Sequence, residues 1–164
     1  MLKKYLRFKA HKFHGDSKNY HSPVNPYINT VLESKKGNPL SICLLYSIIA
    51  QSLDLPIYGV NLPNHFVLAY IDTRGSGAMI NEENEFGVLC YINAFSNGVI
   101  FNTNEIKQFL DELKLPHRRE YFEPCSNSAI IKRMLNNLIS SFERVGNSEK
   151  VEELTLLRNI IQGN

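Results

Sequence analysis

Apolar and polar positions along this chain change period twice, and those changes mark its elements. Leu2, Tyr5, Leu6 and Phe13 form a weak helical stripe ending at Gly15, and Asp16 to Pro23 reads as loop. Asn25-Pro26 pairs a capping residue with a proline at the first helical position. The helix it predicts carries Tyr27, Ile28, Val31 and Leu32 on one face and stops at Gly37. Asn38-Pro39 repeats the signal and opens a central helix to about Leu53. That helix is apolar all round, so it should be the most buried helix of the protein.

From Pro56 the period shortens. Ile57 to Val60, Phe66 to Ile71, Val88 to Ile92 and Val99 to Phe101 read as strands. Arg74 to Glu85, rich in Gly, Asn and Glu, reads as a hairpin loop, and Asn97-Gly98 as a tight turn. Asn102 with Glu105 predicts a capping box and a short amphipathic helix to about Leu113. Leu115 to Pro124 connects it to the next helix. Ser126 caps that long helix, with Ile130, Ile131, Met134, Leu135, Leu138 and Phe142 at helical spacing, and Gly146-Asn147 ends it. A last helix carries Val151, Leu154, Leu157 and Ile161. Such a hairpin looks like one unit of a helical repeat, which must pack on the domain or continue into further units. The expected organisation is a core over 1–125 and a C-terminal helical hairpin over 126–164, together one structural domain.

Composition narrows the class rather than the function. A chain of 164 residues, 43% apolar and 21% charged, is a single soluble globular domain with a sizeable core. The net charge of +2 selects no partner, and the basic cluster from Lys3 to Lys12 is short and interrupted. It reads as a solvated helix face, so no nucleic-acid partner is expected. No apolar run approaches the ~18 residues of a membrane span, and no signal peptide is visible. Cys43, Cys90 and Cys125 are odd in number and far apart, which argues against a disulfide framework and for a reducing, cytoplasmic setting. His11, His14, His21 and His117 lie in polar stretches without zinc-binding spacing, so neither metal nor cofactor is expected. The chain opens abruptly in a helical pattern, as a piece of a longer protein would.

The candidate chemistry lies at Ser41 and Cys43, His65 and Asn93. Ser41 sits in the first turn of the central helix, where free amides and the macrodipole favour negative charge. Cys43 lies two residues deeper, about 200° around the helix, so one histidine cannot serve both. His65 begins an apolar strand, a place suited to a catalytic base. Asn93 ends a strand, where its amide can orient an imidazole. Nucleophile, imidazole, then amide is the chain order of papain-like and transglutaminase-like acyl-transfer sites. Each residue also has a plain structural reading: a helix-start hydroxyl, a small core filler, a loop-bonded histidine and a turn asparagine.

Five segments carry a family resemblance. Gly37-Asn38-Pro39-Leu40-Ser41, Leu53-Asp54-Leu55-Pro56, Gly59 to Phe66, Tyr91-Ile92-Asn93-Ala94-Phe95 and Arg133-Met134-Leu135-Asn136-Asn137-Leu138 resemble the bacterial transglutaminase-like core family of the invasion-regulator B type. The likeness extends from about Leu6 to Ile161. It implies an α+β, papain/transglutaminase-like fold: a buried N-terminal helix on a small antiparallel sheet, flanking helices and a C-terminal helical hairpin. His65 matches the family histidine that corresponds to the transglutaminase base. Asn93 stands where the family has an aspartate, and Asn64 and Ala94 replace its usual glycine and proline. Ser41 falls at the place of the transglutaminase cysteine, and a slip of two residues puts Cys43 there. The resemblance thus implies a domain with lost or weakened catalysis that binds a protein or peptide in the old cleft, in a regulatory role. The alternative is an active acyl-transfer enzyme in which His65 activates Cys43 or Ser41.

Overall fold

The computed structural model describes residues 13–16, 23–72 and 86–163, and of Gln162 the backbone only. Most of the N-terminal stripe and the Arg74 to Glu85 loop lie outside these residues. Where that stripe ends, His14–Gly15 is a two-residue strand, β1, parallel to β2 at Lys36–Gly37.

The first described helix, α1, runs Ile28–Ser34 and is capped by Tyr27, two residues later than Asn25-Pro26 predicts. Residues 23–26 form a turn instead, with the Tyr27 amide bonded to the Val24 carbonyl. The helix also stops before Gly37. Lys35 takes the left-handed conformation (φ 62°) that ends it, and Gly37 belongs to β2. Val31 is fully buried on this helix, whereas Tyr27 and Leu32 are exposed.

The central helix, α2, runs Pro39–Ser52 with Asn38 as its cap. The Asn38 side chain accepts the Ser41 amide at 2.8 Å, satisfying one of the orphan donors of the first turn. From Pro39 to Ser47 every residue but Leu44 is buried, as an all-round apolar pattern requires. The last turns differ, because Ile48 and Ile49 face solvent.

Four antiparallel strands follow in simple order: β3 (Ile57–Leu62), β4 (His65–Ile71), β5 (Val88–Asn93) and β6 (Val99–Phe101). Leu62 pairs with His65 across the two-residue turn Pro63–Asn64, in which Asn64 has φ 56°. The turn from β5 to β6 uses positive φ at Asn97 and Gly98, a geometry these residue types tolerate.

The sheet is covered on both faces. Alternation along β4 and β5 sends Phe66, Leu68 and Ile92 toward α2, where they pack with Leu40, Ile42, Cys43 and Tyr46. Val67, Ala69 and Tyr91 go to the other face, against Ile106, Leu110 and Phe122. Each large side chain fully buried here contributes about 1.5–3 kcal/mol. Ile106 and Leu110 belong to α3 (Thr103–Glu112), whose capping box is complete. Asn102 accepts the Glu105 amide at 3.1 Å, and the Glu105 carboxylate accepts the Asn102 amide at 2.8 Å.

Two helices close the chain, α4 (Asn127–Arg144) and α5 (Ser148–Gln162). Ile130 and Met134 of α4 pack against the α2 side of the core. Val151 and Leu154 of α5 are half-buried, while Leu156, Leu157 and Ile160 are exposed. A two-helix hairpin can cover only one side of its last helix, which leaves Leu157 in solvent.

Candidate functional site

Ser41 is the third residue of α2 and is fully buried. Its hydroxyl donates to the Asn25 carbonyl at 2.8 Å, with the Asn38 carbonyl sharing the proton at 3.2 Å. Gly37 makes room for it: a Cβ there would lie 2.5 Å from the Ser41 oxygen. The hydroxyl therefore ties the 23–26 turn to the start of α2.

Cys43 points the other way, toward the sheet. Its thiol donates to the Phe66 carbonyl at 3.4 Å and accepts the Ala94 amide. Burial pushes the thiol pKa up to about 12, and the Ala94 hydrogen bond offsets only part of that. Burial also raises the thiols of Cys90 and Cys125, so all three cysteines are neutral near pH 7.

His65 and Asn93 come together on the opposite face. Both line a cavity of about 320 Å³ between the sheet and α3, walled by Leu62, Val67, Phe101 and Phe109. Their side chains are hydrogen-bonded to each other. The Asn93 oxygen also accepts the Ser96 amide at 3.0 Å, which fixes the amide at the mouth of the β5–β6 turn. Burial lowers the His65 pKa; the bond to Asn93 acts against this, and the nearby Arg133 guanidinium adds to it. The ring is thus a neutral imidazole at pH 7.

The sheet itself separates the candidates. His65 and Val67 share one face and Phe66 the other, because successive strand residues alternate. The Cys43 thiol bonds to the backbone of Phe66 and Ala94, the residues that follow His65 and Asn93 in the chain. Ser41 is further off, bound to the 23–26 turn. The structure therefore joins His65 with Asn93 and joins neither with Ser41 or Cys43.

Arg133 has a place at this site that its sequence motif alone does not reveal. It donates to the Asn61 side chain at 2.9 Å and to the Leu62 carbonyl at 3.0 Å, pinning α4 to the β3–β4 hairpin. The available signal was a charged residue on the stripe of Ile130 and Met134. Ser96 and Glu105 also line the cavity, and no spacing rule marks them. Among the described residues no group of three His, Cys, Asp or Glu can hold a metal ion, and no helix is long and apolar enough to cross a membrane.

Residues 2–136 match the model of the transglutaminase-like superfamily. Human F-box only protein 21 is 29% identical over 143 residues, covering 87% of this chain and 21% of that protein. A UPF0162 protein of Xylella fastidiosa (strain 9a5c) is 34% identical over 147 residues, covering 86% of this chain and 47% of that protein. A UPF0162 protein of Haemophilus influenzae is 30% identical over 134 residues, 77% of this chain and 48% of that protein. The chain thus spans about a fifth of the first of these relatives and about half of the other two. No solved structure matches it significantly. With the family model matched over most of its length, the chain belongs to the transglutaminase-like superfamily.

Proposed function

We propose that this is a transglutaminase-like domain of the invasion-regulator B type that has lost acyl-transfer catalysis and acts as a binding module, with the His65–Asn93 cavity as its ligand site. One observation carries the reading: the imidazole and the candidate nucleophiles lie on opposite faces of the sheet. A general base must reach the proton it removes, within about 2.6–3.2 Å or through one water. Ser41 and Cys43 instead spend their protons on the carbonyls of Asn25 and Phe66. The ligand this cavity suits is a segment of protein or peptide that places an apolar side chain in it. Its walls are apolar, and its imidazole and amide offer one neutral donor and acceptor set.

The test is site-resolved alkylation of the native protein with N-ethylmaleimide near pH 7, alongside an assay for amine incorporation and amide hydrolysis. A thiol with pKa of about 12 is thiolate to about 1 part in 10⁵ at pH 7, against a few per cent for a free cysteine. Cys43 should therefore react at least about 10³-fold slower than it does after denaturation. Selective labelling of Cys43 in the native protein, abolished by His65→Ala, would establish the enzyme instead.

A further inference from the structure

The two edges of the sheet are treated differently, and the difference points to how the cavity takes its ligand. The β3 edge is occupied. The Ile57 carbonyl accepts the Gln51 side chain at 2.9 Å, Gly59 accepts the Cys125 amide at 2.8 Å, and Leu62 accepts Arg133 at 3.0 Å. The β6 edge is not. Apart from its ladder with β5 and the turn bond from the Val99 amide to Ser96, no hydrogen bond reaches Val99, Ile100 or Phe101 among the described residues. Edge strands are usually blunted by lysine, proline, a bulge or a covering element. Val99 and Ile100 are 56% and 44% exposed and carry no such guard. At three residues the strand is too short to template a long ladder, but long enough to pair with a short peptide.

The open edge is also the rim of the cavity. Val99 and Phe101, alternate residues on one face of β6, both line it. A strand added beside β6 would project alternate side chains over the same cavity. The charge of the lining selects further. His65 is neutral, and among the described residues Glu105 is the only formally charged side chain on the wall. One Glu105 oxygen is held by the Asn102 amide, and no bond to the other is found among the described residues.

We propose, building on the reading of the cavity as a ligand site, that β6 takes an extended peptide as a fifth strand. One apolar side chain of that peptide fills the cavity beside His65. A lysine or arginine two positions along, on the same face, meets Glu105.

The probe is acetyl-Thr-Val-Phe-Thr-Lys-amide, titrated into ¹⁵N-labelled protein and followed by amide shifts and amide exchange. Shifts should appear at Val99, Ile100 and Phe101 as well as at Val67 and Ile106, with a β6 amide slowed in exchange. N-methylating alternate peptide amides removes main-chain bonds worth about 1 kcal/mol in total and should weaken binding about fivefold to tenfold. Replacing the peptide lysine by glutamate should weaken it about fivefold, as expected for one exposed ion pair lost and a repulsion gained. Glu105→Gln should erase that preference while keeping the capping box, since glutamine serves in the same motif. An unchanged melting temperature would confirm that the helix start survives.

Equal affinity for the N-methylated peptide, with shifts at Val67 and Ile106 only, would overturn strand addition while leaving the cavity reading intact. No shift at any of these residues would overturn strand addition, and Cys43 alkylation would judge the loss of catalysis separately. Concentration-dependent dimers that protect β6 without peptide would overturn it in favour of a second copy of this chain.

Discussion

Replacing Cys43 by alanine separates a core residue from a catalytic one by the sign of a stability change. The side chain is fully buried among Leu40, Ile42, Phe66 and Ile92, so removing its sulfur leaves a void. The lost transfer energy is about that of one methylene, about 0.8 kcal/mol. A residual cavity of about 20 Å³, at about 24 cal/mol per Å³, adds about 0.5 kcal/mol. Losing the weak thiol bond to the Phe66 carbonyl brings the total to about 1.5–2 kcal/mol. For a chain of 164 residues that lowers the melting temperature by about 3–8 °C. Urea unfolding should show a lower midpoint with an unchanged slope, the signature of a native-state packing loss. Removing a strained catalytic nucleophile commonly leaves stability unchanged or improves it. An unaltered or raised midpoint in Cys43→Ala, together with loss of any measured turnover, would refute the assignment of Cys43 to the core.

Three further outcomes follow from the same geometry. Asn93→Asp places a carboxylate beside the imidazole and should raise the His65 pKa, because a nearby negative charge favours the imidazolium; proton NMR titration of the ring in both forms reads it. The folded state keeps His65 neutral, whereas the unfolded chain protonates it near the ordinary value of 6.5. Stability should therefore fall as pH drops through about 6.5, and urea unfolding at about pH 5.5 and 7.5 should show a smaller loss in His65→Gln than in the wild type. Tyr91→Phe removes a buried hydroxyl that donates to the Phe122 carbonyl at 2.7 Å and should cost about 1–3 kcal/mol in the same assay.

Much of this architecture is legible in the sequence wherever one local signal decides. Asn38-Pro39, Asn102 with Glu105, and Ser126 each cap a helix at the position their side chains dictate. The adjacency of His65 and Asn93 follows from strand ends that meet in one sheet. Asn25-Pro26 misleads because a distant residue intervenes: Ser41 binds the Asn25 carbonyl and holds this segment as a turn. The placement of the nucleophile candidates is hidden for a different reason. Phe66, Val67, Leu68 and Ala69 are all buried, so β4 shows no alternation of apolar and polar residues. A strand buried on both faces does not announce which face the central helix covers.

Whether the imidazole faces the thiol comes down to whether a residue number is odd or even. The two-residue turn Pro63–Asn64 fixes that parity for β4, since it pairs Leu62 with His65. One residue inserted between Asn64 and His65 would exchange the two sides of His65 and of everything beyond it. In most half-buried strands such a slip is forbidden by hydration, because it puts polar groups inside. Here Phe66 to Ala69 are apolar on both sides, so for them the exchange would be resisted by shape: Phe66 and Leu68 would have to fit where Val67 and Ala69 now sit. Within this fold, the side of the sheet that the imidazole takes can be changed by a single insertion, with every residue type kept.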